Sequence, residues 1–254
     1  MKRNFTQFSK TFAAVLCVCV LAFSIYQFTA GEKVYAEGNV LYEEVQDTAQ
    51  VGYRTVSVEL PGEASEPIEI PDIDFEALTA VNVEGLAWIY LPDSRINYPV
   101  AQGEDNKYYL NHLIDGRRNS NGTIFLDYRN SPDFSDRNNA LYGHRMKSGA
   151  MFAGIEKYKQ QSYYDDHPYM YLVTKDACYR VDLFAGIVKD ASDIALAFSS
   201  DQAFLDYIEE LRARSTFESP VQVGAGDRLL TMSTCARDFK NARYTLIGKL
   251  TQVW

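Results

Sequence analysis

Short apolar runs broken by turn-forming residues fill the chain from Gly85 to Leu250, a pattern that predicts strands. Leu86–Leu91 stops at Pro92-Asp93-Ser94, and Ile96–Val100 follows it. Gly103–Asn106 turns into Lys107–Leu110, Gly122–Asp127 is another strand, and Asn138–His144 follows a loop. Tyr169–Val173 and Cys178–Phe184 are divided by Lys175-Asp176, which reads as a hairpin. A last pair, Leu229–Cys235 and Asn241–Leu246, is joined by the short polar segment Ala236–Lys240. Helical spacing interrupts this pattern twice. Met151–Tyr158 looks helical, and Ser200–Ser215 places Phe204, Leu205, Ile208 and Leu211 on one face. Eight or so short strands with inserted helices predict a mainly β fold, a closed or nearly closed mixed barrel.

The amino-terminal third is different. Lys2, Arg3 and Lys10 precede Phe12–Ala30, which carries no charged residue. As a helix this run spans roughly 28 Å, close to the hydrocarbon thickness of a bilayer. The basic residues before it place its start in the cytoplasm and the rest of the chain outside. A cleaved signal peptide, cut near Val34-Tyr35-Ala36, is the competing reading. Glu37–Val51 suits an amphipathic helix. Val56–Pro71, with Pro61, Gly62, Pro67 and Pro71 among acidic residues, reads as an extended connector. Asp72–Leu78 looks like a short capped helix with Phe75 and Leu78 on its packed face. The expected division is a cytoplasmic tail and transmembrane anchor at 1–30, an extracellular linker with an N-terminal helix at 31–73, and a catalytic domain at 74–254.

Composition narrows the function. A net charge of −9, with no basic stripe, argues against nucleic-acid binding. Of the four cysteines, Cys17 and Cys19 lie in the apolar N-terminal run, so only Cys178 and Cys235 remain beyond it. Two cysteines make no disulfide framework, although a Cys178–Cys235 bridge is open to them. No Cys-x-x-Cys pair exists, and His112, His144 and His167 include no His-x-x-x-His spacing, so no metal site is expected.

The last hairpin carries the chemistry. Cys235 ends one strand and Arg243 begins the next, so pairing brings a thiol beside a guanidinium. A lone Cys on a strand is usually a small buried hydrophobe. A cationic neighbour instead favours the nucleophilic thiolate. Arg243 serves either as a structural ion-pair partner, the commoner fate, or as a donor to a developing oxyanion. His144 emerges where an apolar strand ends in Gly143-His144, a strand-to-loop junction of the kind that often carries function. His112 reads as a surface or supporting residue, and His167, before Pro168, as a turn stabiliser. Neither Asp nor Asn stands out to orient His144, so a papain-like triad is not supported.

Together these residues resemble the class B sortases, membrane-anchored cysteine transpeptidases of Gram-positive bacteria. The resemblance runs from about Asp74 to Leu250. It rests on Gly85–Ile89, Ile96–Val100, Asn106–Leu110, Gly122–Asp127, Tyr142–Met146 with Met151-Phe152, and Thr231–Cys235 with Arg243, in that order. It implies an eight-stranded β-barrel with an N-terminal helical extension and a helix before the last strands. It implies a His144, Cys235 and Arg243 catalytic site, and a peptide groove lined by Asn106, Leu110, Tyr142, Ser233 and Thr234. It implies no cofactor. The implied activity cleaves a C-terminal sorting signal after Thr and transfers the acyl group to an amine of a peptidoglycan precursor, with slow hydrolysis when no amine is present. A pilin-polymerising sortase using a Lys amine, a hydrolytic cysteine protease and a non-catalytic membrane-tethered barrel stay open as alternatives. Three positions depart from the family pattern: Met232 where Leu is usual, Arg145 where Asn is common, and Arg237 where some members carry an acidic residue.

Overall fold

Eight strands close into a barrel in this computed structural model, which describes residues 2–57, 67–192 and 194–254. The strands are β3 (Gly85–Tyr90), β4 (Asn97–Ala101), β5 (Ile124–Leu126), β6 (Asn138–Tyr142), β7 (Tyr169–Thr174), β8 (Cys178–Lys189), β9 (Arg228–Cys235) and β10 (Arg243–Gln252). Their order around the barrel is β10-β8-β7-β3-β4-β5-β6-β9. The β4–β5 and β6–β9 pairs are parallel and the others antiparallel, so the barrel is mixed, as the sequence predicts. Trp88, Tyr109, Phe125 and Tyr171 are among the large side chains that fill the interior.

Upstream of the barrel, α1 (Lys2–Ala49) runs unbroken into β1 (Gln50–Ser57) and β2 (Pro67–Ile73), which pair antiparallel. The stretch read from sequence as an extended connector therefore forms part of a hairpin, and residues 58–66 of it lie outside the described residues. Within Phe12–Ala30 the side chains of residues 12–15, 27, 28 and 30 also lie outside them, while Leu16, Val18, Leu21, Phe23 and Ile25 are exposed. Among the described residues no helix is long and apolar enough to cross a membrane. The last turns of α1 belong to the barrel. Leu41, Tyr42, Val45 and Ala49 are buried in its core, and the Tyr42 hydroxyl donates to the Gly122 carbonyl at 2.6 Å.

Two short helices are capped as their sequences require. In α2 (Phe75–Val81) the Asp74 carboxylate accepts from the amides of Glu76 and Ala77, and Leu78 is buried. A 3₁₀ helix at Phe152–Lys159 stands where a helix is predicted, followed by α3 (Gln161–Asp166). In α4 (Asp201–Ala213) the Ser200 hydroxyl accepts from the Ala203 amide. Its Phe204, Ile208 and Leu211 pack on Phe184, Ile187 and Ile247, which makes a second core outside the barrel wall. Covered on both faces, β8 is buried along nearly its whole length and runs further than the sequence suggests.

Candidate active site

Strand register places the thiol. Residues opposite each other across β9 and β10 are Cys235 with Arg243, Thr234 with Tyr244, and Ser233 with Thr245. Side chains alternate along a strand, so Cys235, Ser233, Arg243 and Thr245 share one face. Arg243 Nη1 donates to Cys235 Sγ at 2.8 Å. The thiol lies at the exposed end of β9, while Ser233 and Thr245, one step further in, are buried. A donor fixed at the sulfur is equally placed to meet negative charge developing on a carbonyl oxygen beside it.

Register also places the imidazole. The parallel ladder of β6 and β9 aligns Tyr142 with Ser233 and continues through the Gly143 amide, which donates to the Ser233 carbonyl at 3.2 Å. The next residue, His144, lines the same cleft as Cys235. The Thr234 hydroxyl donates to the Gly143 carbonyl at 2.8 Å and fixes the chain at this bend. The ring itself is held by the backbone. His144 Nε2 lies 2.6 Å from the Leu110 carbonyl oxygen, which can only accept, so Nε2 carries the hydrogen and Nδ1 is the basic nitrogen of the neutral ring. No acidic side chain is needed to orient it. The floor under the ring is Gly122, at φ +62°, where an added Cβ would lie 3.0 Å from His144 Cδ2 and 2.5 Å from the Tyr109 carbonyl. Only a residue without a side chain lets Tyr109, Leu110 and His144 converge there.

Two further cleft residues hang from one buried carboxylate. Asn106 Nδ2 and the Tyr142 hydroxyl donate to Asp127 Oδ2 at 2.9 and 3.0 Å. Arg129 donates to both carboxylate oxygens, through Nε at 2.9 Å and Nη2 at 2.8 Å. Burial disfavours the charge on Asp127, but the hydrogen bonds from Arg129, Asn106 and Tyr142 outweigh it and hold its carboxyl below the usual carboxylate range.

The eight residues that the sequence proposes for the site, His144, Cys235, Arg243, Asn106, Leu110, Tyr142, Ser233 and Thr234, all line one cleft of about 300 Å³. The sequence reading misses Thr245, Phe125, Lys189 at the end of β8 and the wall that follows it, where Asp190, Ser192 and Ile194 face the same space. It also misses Asp127, whose role depends on partners from other segments. The remaining histidines stand apart from the cleft. His112 stacks on Tyr108 at 4.0 Å, and His167 closes α3, its amide donating to the Tyr163 and Tyr164 carbonyls. A Cys178–Cys235 bridge is excluded, because both thiols are free. Cys178 is buried in the core, which pushes its thiol up to about 12.

A closed mixed barrel with a thiol, a guanidinium and an imidazole in one cleft has the parts that a thiol-dependent acyl-transfer enzyme uses. The sortase domain family matches residues 89–251. The chain is 35% identical to sortase B of Listeria monocytogenes over 178 residues, 68% of this chain and 72% of that protein. It is 32% identical to sortase B of Staphylococcus aureus over 183 residues, 70% of this chain and 75% of that protein. Its fold matches sortase B of Bacillus anthracis with a TM-score of 0.74 at 30% identity, over 87% of this chain and 99% of that one. The chain belongs to the sortase family, in its class B branch, whose members are cysteine transpeptidases of the cell surface.

Proposed function

We propose that Cys235 is the nucleophile of a two-step acyl transfer, with Arg243 as oxyanion donor and His144 as proton carrier. The contact of Arg243 with the Cys235 sulfur at 2.8 Å, at the exposed end of a cleft that His144 also lines, carries this reading. The Cys235 thiol passes its proton to His144 Nδ1, and the resulting thiolate attacks the carbonyl of a Thr in the sorting signal of a secreted protein. A C–S bond forms and the carbonyl oxygen takes the negative charge, facing Arg243. Collapse breaks the C–N bond, and the departing amine takes a proton from His144 Nδ1. The second substrate, an amine of a peptidoglycan precursor, attacks the thioester and gives its proton back to His144. The thiolate leaves and a new amide remains. Asn106, Leu110, Tyr142, Ser233 and Thr234 hold the acyl half of the peptide during the exchange.

The chain division supports a surface location. The uncharged run Phe12–Ala30 follows Lys2, Arg3 and Lys10, and its described apolar side chains are exposed. In this reading residues 1–30 form a cytoplasmic tail and single-pass anchor, 31–73 an extracellular helix and linker, and 74–254 the catalytic domain on the outer face. The test incubates the full chain with a labelled Asn-Pro-x-Thr peptide and an amine, and follows the thioester and the amine adduct by mass spectrometry. The expected result is both species in the wild type and neither in Cys235→Ala. Equal adduct formation by Cys235→Ala would sink the assignment.

A further inference from the structure

Four buried side-chain polar atoms have no hydrogen-bond partner among the described residues: Asn121 Oδ1, Asn139 Oδ1, the Tyr171 hydroxyl and Thr245 Oγ1. Only Thr245 also lines the cleft that holds Cys235 and Arg243. It is 2% exposed, so water does little to satisfy its hydroxyl. A strand at this place gains nothing from that oxygen. Val has the same shape and an equal preference for strands, without an unpaired polar group to bury. The hydroxyl therefore weakens the free protein, and a ligand that enters the cleft and bonds to it recovers the loss.

The register says which part of the ligand this is. Thr245 follows Arg243 by two residues on the same face of β10, about 7 Å along the strand. Its cross-strand partner Ser233 stands in the same relation to Cys235. The thiol end of the cleft is exposed and the Ser233–Thr245 end is buried. The first amine must leave, and the second enter, through the exposed end. The acyl half, held as a thioester between the two steps, must then lie over Ser233 and Thr245. An extended peptide covers about 7 Å in two residues.

We propose that Thr245 is a specificity-determining residue. Its hydroxyl hydrogen-bonds a carboxamide or hydroxyl side chain carried one or two positions before the acyl-forming residue of the peptide. This rests on the transpeptidase reading above. A hydroxyl both donates and accepts, so either chemistry fits, whereas an apolar side chain there leaves Oγ1 unpaired.

The experiment pairs peptides that differ only by a polar group at those two positions, Thr against Val and Gln against Met, and measures kcat/KM for the amine adduct with the full chain. The wild type should favour the polar member at one of the positions by roughly ten- to a hundredfold. Thr245→Val should erase that preference by losing the polar peptide alone, and should melt no lower than the wild type. Thr245→Ser should keep the preference. The proposal is overturned by a wild type indifferent at both positions, by a preference that survives in Thr245→Val, or by a Thr245→Val that loses both peptides equally. A wild type that forms no adduct with any peptide overturns the transpeptidase reading, and this proposal with it.

Discussion

Replacing Asp127 with Asn tests whether one buried carboxylate organises the substrate face of the cleft. Asp127 is fully buried and accepts five hydrogen bonds, from Asn106 Nδ2, the Tyr142 hydroxyl, Arg129 Nε and Nη2, and the Arg129 amide. A carboxamide offers one oxygen and one NH2 group. If its oxygen keeps the Arg129 amide and Nε, its NH2 faces three donors at the former Oδ2. A hydrogen bond to a charged group contributes roughly 1.5–3 kcal/mol, and a neutral one about 1. The Arg129 side chain is 38% exposed and regains water, so its loss counts for little. The net destabilisation is about 2–4 kcal/mol, which in a domain of this size lowers Tm by roughly 5–15 °C. Asn106 and Tyr142 lose their common anchor, and kcat/KM on peptide falls at least ~10-fold, the equivalent of about 1.4 kcal/mol.

The same substitution has a pH signature. The folded carboxyl of Asp127 is held below its ordinary value, so its stabilisation is complete above about pH 4, where the unfolded side chain is also ionised. It fades as pH falls through the depressed folded value. Thermal unfolding followed by circular dichroism should show a constant gap between wild type and Asp127→Asn from pH 5 to 8, closing below about pH 4. A variant that melts within a degree of the wild type at pH 7, with unchanged turnover, would refute the assignment. So would a gap that widens in acid.

Three other outcomes follow from the geometry. Arg243→Gln should lower kcat for peptide about 10²–10³-fold, and Arg243→Lys should restore only part of it, because an ammonium keeps the charge but not the planar fork; single-turnover thioester formation reads the difference. Gly122→Ala drives a methyl group into the Tyr109 carbonyl and the His144 ring from a positive-φ backbone, so it should cost at least ~1 kcal/mol of stability and most of the activity, read by thermal melts and turnover together. Glu156 accepts from Arg145 and Lys159, and Lys159 also donates to Asp238 in the turn beside Cys235. Burial opposes the Glu156 charge, but Lys159 and Arg145 hold its carboxyl below its usual range, so Glu156→Gln should loosen the Ala236–Lys240 turn and speed its proteolysis, while Lys159→Ala should change stability by no more than ~1 kcal/mol.

Apolar period carried most of the barrel, since every strand from β3 to β10 falls on a run visible in the sequence. The β1–β2 hairpin did not show, because Pro67 and Pro71 read as breakers. In a two-stranded sheet each strand has an open edge, where prolines such as Pro71, opposite Tyr53, are tolerated. Cys235 beside Arg243 was legible because a hairpin fixes both by counting. His144 was legible as a polar residue at the end of an apolar strand. Its orienting partner was not, because the Leu110 carbonyl is a backbone atom that no residue type announces. Asp127 was hidden for a different reason. Asn106 and Tyr142 lie 21 and 15 residues away from it, and the chain meets itself there only after the barrel closes. Thr245 read as an ordinary β-branched strand former, and its missing hydrogen bond appears only when its neighbours are in place.

These devices differ in what disturbs them. Cys235 and Arg243 are fixed by backbone register, which no side-chain ionisation alters. His144 is fixed by a backbone carbonyl. Asn106 and Tyr142, which line the cleft, rest on a titratable carboxylate. The three positions singled out in the sequence, Met232, Arg145 and Arg237, leave the Cys235–Arg243 pairing and the His144–Leu110 contact in place. Met232 is buried between Leu141 and Leu246, a place where Met and Leu, close in volume, are nearly interchangeable. Arg145 turns to Glu156, and Arg237 is exposed in the turn. Arg145 thus bears on the support beside the cleft, while the ladder under the thiol rests on backbone pairing alone. Changes that alter the cleft without touching His144, Cys235 or Arg243 are then to be made in the Glu156–Lys159–Asp238 chain, the wall that follows β8 and Thr245.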